Sequence, residues 1–331
     1  KVLGVLNNRD QIPGITRRGD YFYNYWRDAK NPRGLWRRTT LDEYRKAEPK
    51  WDVLLDLDAL GQAEKENWNV CCDKRDLKDD ENLISIRSVG ICGSDMHAFL
   101  GHDDRRPAPL ILGHEAAGDV IEGPLKGTRV TINPLVTCQK CKECKSNRSN
   151  LCGKRQIISM QPREGAFAEM VAIPSRNLVE VPDNISFNDA ALTEPLAVCW
   201  HAVRLGINAL DTEIQTANTL VIGGGAIGLG SALSLMAKGV KKIKIAEPNA
   251  KRRAFLQANT WFDIYDPTEG HGELSNYDIV IDAVGFASSR TDACALAKPG
   301  SVILHIGLGD SDGGLDIRRL TLQEIRFIGT Y

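Results

Sequence analysis

The stretch Thr219–Gly230, TLVIGGGAIGLG, constrains the fold of this chain more than any other. A short apolar run with the look of a buried strand leads into Gly223-x-Gly225-x-x-Gly228 and then into a segment with helical spacing. The first glycine permits a tight turn, the second lets the backbone approach a pyrophosphate, and the third lets helix and strand pack closely. The helix N-terminus then offers free N–H groups to phosphate. Ile227 lies within this turn. The next predicted strand, in KIKIAEP, ends at Glu247, close to the spacing at which a carboxylate meets the ribose of a dinucleotide. A carboxylate there accepts both ribose hydroxyls and repels a 2′-phosphate, which favours NAD; Lys251, Arg252 and Arg253 beside it keep NADP open. A glycine turn in a sheet that binds nothing is the plain alternative.

Around that turn the chain alternates strand and helix. Leu220–Ile222, Lys242–Ala246, Asp278–Ile281, Ser301–Ile306 and Ile325–Gly329 read as buried strands, with Ala226–Lys238, Asn249–Gln257 and Ser288–Lys298 as helices between them. The pattern predicts an α/β doubly wound parallel sheet over residues 200–331. Residues 70–195 carry short alternating segments (Leu83–Val89, Arg129–Ile132, Ala168–Ile173) broken by Gly, Pro and Asn, as in a small all-β domain. The 331 residues suffice for two cores, and a net charge of −1 argues against nucleic acid or an anionic membrane as main partner. The uncharged run Ile214–Ala237 is long enough to span a bilayer, but its glycines break it into strand, turn and helix. The nine clustered cysteines point to metal or catalysis in a reducing cytoplasm rather than to disulfides.

Four of them, Cys138, Cys141, Cys144 and Cys152, follow C-x2-C-x2-C-x7-C. Four thiolates in one loop match a closed tetrahedral zinc site, which is structural because no position stays open. A basic zinc ribbon for nucleic acid is the alternative, since lysines and arginines surround the loop. A second constellation gathers Cys92, Ser94, Asp95 and His97 in CGSDMH, His114 and Glu115 in GHE, and Glu194 in TEPL. One thiolate, one imidazole and one carboxylate make a zinc site with a fourth position open. Singly, on residue type alone, Cys92 and His114 read more readily as core residues.

The order CGSD…H, GHE, four-cysteine lobe, EPL and GxGxxG resembles the zinc-dependent medium-chain dehydrogenases over about residues 75–331. Glu194-Pro195-Leu196 is similar to the polyol and threonine dehydrogenase branch. The resemblance implies a GroES-like β-barrel catalytic domain beside a Rossmann domain, and hydride transfer from a polyol or related secondary alcohol to NAD. It implies Cys92 and His114 as catalytic zinc ligands, with Glu115 or Glu194 as the third, and Asp95 orienting a ligand. It also implies Ser94 and His97 as a proton relay. The family forms dimers or tetramers, so a homo-oligomer is expected.

GDSDG (Gly309–Gly313) fits G-x-S-x-G, the serine-hydrolase elbow. No helix start is evident in Leu315–Leu322 and no histidine follows His305, so a loop is predicted. Residues 1–69 hold nine of the twenty-one aromatic residues, in a composition unlike the rest. The segment IPGITRRGDYFYNYWRDAKNPRGLWRRTT and its continuation to Trp68 resemble the N-terminal propeller region of prolyl-oligopeptidase-type peptidases. Its interleaved Arg, Tyr and Trp would also suit stacking on single-stranded nucleic acid. A chain joined near residue 69, starting at Lys1 and stopping at the sixth strand, implies a catalytic domain of 70–199 that is incomplete. The alternative function is therefore an inactive, zinc-stabilised dinucleotide-binding chimera.

Overall fold

The computed structural model describes residues 15–26, 30–32, 34–46, 48–64, 77–271 and 276–331; parts of the aromatic-rich N-terminal segment, 1–14 and 65–69 among them, lie outside these. The chain divides into two compact units, Lys1–Lys78 and Asp79–Tyr331.

In the first unit, β1 (Ile15–Arg18), β2 (Tyr21–Trp26), β3 (Leu35–Thr40) and β4 (Asp52–Asp56) form an antiparallel sheet in sequential order. The pairing of β2 with β3 sets Asn24 opposite Arg37 and Tyr23 opposite Arg38. The Arg37 guanidinium lies 4.3 Å from the Trp26 ring and 4.5 Å from the Trp51 ring, and its Nε donates to Asn24 Oδ1 at 2.9 Å. Arg38 stands 4.4 Å over Tyr21, and Phe22 stacks on Tyr44 at 5.8 Å. Each cation–π contact contributes about 0.5–1 kcal/mol. The interleaved arginines and aromatic rings therefore pack on one another in this unit.

The second unit holds two larger sheets. One is an antiparallel sheet in the order β10-β5-β6-β7-β11: β5 (Glu81–Gly90), β6 (Glu115–Glu122), β7 (Arg129–Ile132), β10 (Met170–Pro174) and β11 (Leu178–Glu180). Ile84, Val120, Val130, Ile132, Val171 and Ile173 alternate inward to make its core. A small pair, β8 (Leu135–Val136) with β9 (Gln156–Ile157), carries the four-cysteine loop between its strands.

The other is a six-stranded parallel sheet that runs β14-β13-β12-β15-β16-β17. Its strands are β12 (Asn218–Ile222), β13 (Lys242–Ala246), β14 (Asp263–Tyr265), β15 (Tyr277–Asp282), β16 (Ala297–His305) and β17 (Arg326–Gly329). All six residues of β15 are buried, as expected for a parallel strand covered on both faces. Strand order reverses between β12 and β15, so the glycine turn after β12 opens at the switch point where such sheets bind ligands. The run Ile214–Ala237 divides into β12, the turn and helix Ala226–Ala237; among the described residues no helix is long and apolar enough to cross a membrane.

Several helices depart from the sequence expectation, among them Gly93–Phe99 and Phe187–Ala191 in the span read as all-β. Thr193–Ala209, 17 residues long, was not anticipated; it buries Cys199, Ala202, Val203 and Gly206, one stripe at helical spacing. Gly206 lets it lie close to the sheet, because a Cβ there would come 2.6 Å from Leu304 Cδ1. Within Leu315–Leu322, where no helix start is evident from sequence, Ile317–Leu322 is helical, with Asp316 accepting from Arg319 N at 2.8 Å. One capping carboxylate supplies the start that the residue pattern hid. The helix begins well beyond Ser311, so the elbow geometry is still absent. Arg290 instead fastens the GDSDG loop, donating to Gly313 O (2.7 Å) and Gly285 O (2.8 Å) and pairing with Asp310.

Candidate metal and cofactor site

β5 ends at Gly90, and Cys92 caps the helix Gly93–Phe99 that follows. Asp95, at the third helical position, reaches back so that its Oδ2 accepts from Cys92 N at 3.1 Å, fixing the turn that presents the thiol. In the neighbouring strand β6, Glu115 pairs with Gly90. Any side chain at 90 would overlap the Glu115 carboxylate, so Gly90 makes room for it.

One ligand atom each from Cys92, His114 and Glu115 falls within 4.8 Å of the others. His114 Nδ1 faces Asp95 Oδ1 at 3.3 Å, with Ser159 Oγ at 3.4 Å, which leaves Nε2 for the cluster. Burial disfavours a charged His114, but Asp95 and Cys92 outweigh it and raise the imidazole to about 10. Burial also pushes Asp95 up, and bonds from His114, Gly113 N and Cys92 N overcome it and hold that carboxyl below its usual range. Glu115 goes the other way, raised by burial with the Asp95 charge adding to it. One thiol, one imidazole and one carboxyl group converging in a partly buried space are the donor set a divalent cation fits.

Glu194, in the first turn of Thr193–Ala209, stands outside the three-residue cluster. Burial, with Glu115 and Asp95 adding to it, pushes its carboxyl up to about 7 against the opposing pull of His114. Ser94 Oγ accepts from Arg106 at 3.4 Å. His97 is exposed, its ring 6.5 Å from that of His102, and no hydrogen bond joins Ser94 to His97 among the described residues. Sequence reasoning missed Gly90, Arg106 and Ser159; only Gly90, two residues before Cys92, offered any local signal.

In the lobe, Cys138 and Cys144 sulfurs lie 4.0 Å apart, Cys141 and Cys144 3.5 Å, and buried Cys152 completes the group. Four sulfurs around zinc at about 2.3 Å stand about 3.8 Å apart along a tetrahedral edge, so the spacing fits that ion. The backbone N–H groups of Lys140 and Cys141 lower the Cys138 thiol toward thiolate, whereas Cys141, despite the pull of Cys144 N, is raised by burial and by the neighbouring thiols.

At the glycine turn Gly223 takes φ 95°, and a Cβ on Gly228 would overlap the Gly223 carbonyl. A Cβ on Gly225 would meet nothing within 4 Å, so the turn leaves space above its backbone that a phosphate could fill. Glu247, 2 % exposed, accepts from Gly224 N and Asn249 N, each at 2.8 Å. Arg253 is committed to Glu247 O and to Asp266, whereas Arg252 is exposed, with Nη1 3.7 Å from Glu247 Oε2. Ile227 packs its side chain on the core and takes the Cys199 thiol on its carbonyl at 3.3 Å.

Residues 78–183 match the alcohol dehydrogenase GroES-like domain. The chain is 34 % identical over 246 residues to L-galactonate-5-dehydrogenase of Escherichia coli, covering 70 % of this chain and 69 % of that protein. It is 30 % identical to the probable D-xylulose reductase A of Arthroderma otae, covering 77 % and 76 %. A putative zinc-binding dehydrogenase from Sinorhizobium meliloti, solved bound to NADP, superposes with a TM-score of 0.70 at 26 % identity, covering 80 % of each chain. The chain belongs to the zinc-type medium-chain alcohol and polyol dehydrogenases. These are oxidoreductases that use NAD or NADP.

Proposed function

We propose that this chain transfers a hydride between NAD and a secondary alcohol of a polyol or sugar acid, with zinc held by Cys92, His114 and Glu115. The observation that carries this reading is the meeting of one thiol, one imidazole and one carboxylate within 4.8 Å in the unit that also bears the glycine turn. The substrate class rests on the relatives named for L-galactonate and D-xylulose.

Zinc bound there supplies a Lewis acid that lowers the pKa of the substrate hydroxyl. The chain's own residues do the rest. Asp95 keeps a proton on His114 Nδ1 and so turns Nε2 toward the metal. Glu194, held near neutrality by burial, stands beside the ligand set and can hold the water that substrate displaces. Gly223, Gly225 and Gly228 bring the backbone to the pyrophosphate, and Glu247 receives the ribose hydroxyls and selects NAD. Ser94 takes the alcohol proton, and His97 carries it to solvent. Cys138, Cys141, Cys144 and Cys152 hold a second, structural zinc.

The catalytic part is assigned to about residues 70–199 and the dinucleotide part to 200–331, in a cytoplasmic homo-oligomer. The segment up to about residue 69 adds no chemistry. Its four antiparallel strands have the form of a single propeller blade, which supports the peptidase-propeller reading and a chimeric join. The separate four-stranded unit at the front, unlike the dehydrogenase part, favours a second reading, a chimera that binds dinucleotide without turnover. Purified protein mixed with NAD and a panel of polyols and sugar acids separates the two. NADH formation that stops on chelation supports the enzyme; NADH binding with no reduction by any substrate supports the inactive chimera.

A further inference from the structure

The run DDRRP looks like a solvated charge cluster, yet its two arginines part company. Arg105 is largely exposed and paired with Asp103, whereas the Arg106 side chain is only 5 % exposed. Its Nη1 lies 3.2 Å from Asp95 Oδ1 and 3.4 Å from Ser94 Oγ. Its Nε, 3.7 Å from Asp103 Oδ2, makes no hydrogen bond. Burying a guanidinium is costly unless its donors are satisfied, so an incompletely bonded one is poorly explained by stability alone.

We infer that Arg106 is a positioning residue that couples the zinc ligands to Ser94; this rests on the proposed zinc site. Asp95 Oδ1 is shared by Arg106, Gly113 N (3.2 Å) and His114 Nδ1. With a thiolate from Cys92 and a carboxylate from Glu115, a divalent ion is already neutralised, and Asp95 would leave the site one charge negative. Arg106 cancels that charge, so Asp95 orients His114 without weakening the ion's pull on substrate oxygen. The same nitrogen donates to Ser94 Oγ, which occupies one lone pair and leaves the hydroxyl proton and the second lone pair for the reacting alcohol.

The test uses full-length protein with cobalt exchanged into the Cys92 site and zinc kept in the four-cysteine site. In Arg106→Gln the cobalt d–d bands are expected to shift, and kcat to fall about tenfold or more with KM little changed. Arg106→Lys, which returns the charge without the fork, should restore the cobalt spectrum while kcat stays low, and it stands in if the glutamine variant fails to fold. Unchanged spectrum and kcat in Arg106→Gln overturn the inference, as does full recovery of kcat in Arg106→Lys. Wild-type protein that takes no cobalt at Cys92 instead overturns the zinc site itself.

Discussion

Glu247 Oε2 accepts a 2.8 Å hydrogen bond from Gly224 N, so the carboxylate proposed to receive the ribose also pins the turn proposed to receive the phosphates. Its other oxygen holds Asn249 N at 2.8 Å. A glutamine can accept at only one of these two positions, because its amide nitrogen would face an N–H. Glu247→Gln should therefore weaken NADH about tenfold, about 1.4 kcal/mol, and narrow the preference over NADPH. Titration with both cofactors checks this, and an unchanged ratio of affinities would remove Glu247 from cofactor selection.

Two glycines of one turn should fail differently. Gly228→Ala forces a methyl into the Gly223 carbonyl, and such overpacking costs about 1–3 kcal/mol, so its melting temperature should drop. Gly225→Ala meets no neighbour within 4 Å and should melt like wild type while binding NADH poorly. Equal melting and equal binding in the two variants would contradict a phosphate seat at Gly225.

The parallel sheet was legible because β12 and β15 carry short apolar runs and β13 alternates lysine with isoleucine, separated by glycine and helical periodicity. Thr193–Ala209 escaped because it opens on Leu192 without a side-chain cap and carries a proline in its first turn. Ile317–Leu322 escaped for the opposite reason, since its cap is present but only six residues follow. In the site, ligand types and spacing in CGSD and GHE were readable from local sequence. That Glu115 rather than Glu194 joins the cluster depends on the register of β5 with β6, which is a long-range property. The burial of Arg106 is hidden for the same reason, because a charged pair in sequence does not say which arginine turns inward.

The two cysteine groups should separate stability from chemistry. Cys138→Ser removes one sulfur of a closed set and should lower the melting temperature, because structural zinc binding contributes directly to folding. Cys92→Ser opens an already three-residue cluster and should melt close to wild type. Zinc content measured beside the melting curves checks the split. Equal losses of stability would argue against distinct structural and catalytic roles.

Asp282 gives the fold an acid-sensitive anchor away from the proposed zinc ligands. It is fully buried, with Oδ2 3.0 Å from His305 Nδ1 and Oδ1 accepting from Val284 N and Gly285 N. Burial pushes its carboxyl up, but the His305 bond and the two N–H groups outweigh that and hold it below 3.8. A depressed carboxyl contributes stability above its unfolded pKa, about 3.9, and loses it as pH falls through the lower folded value. Asp282→Asn should therefore cost about 2 kcal/mol at neutral pH, with a deficit that shrinks as pH falls below about 4. Melting curves across that range test the sign, and a deficit that grows on acidification would refute it.

The central claim is that Cys92, with His114 and Glu115, holds the ion that activates an alcohol for hydride transfer to the nucleotide at Gly223–Gly228. It is tested most directly by NADH formation from polyols and sugar acids, comparing zinc-loaded wild type with Cys92→Ser at matched melting temperature. The expected result is NADH from wild type and none from Cys92→Ser, which still binds NADH and keeps the four-cysteine zinc. Turnover that survives in Cys92→Ser, or a wild type that fills both zinc sites and binds NADH yet oxidises no alcohol, would contradict it.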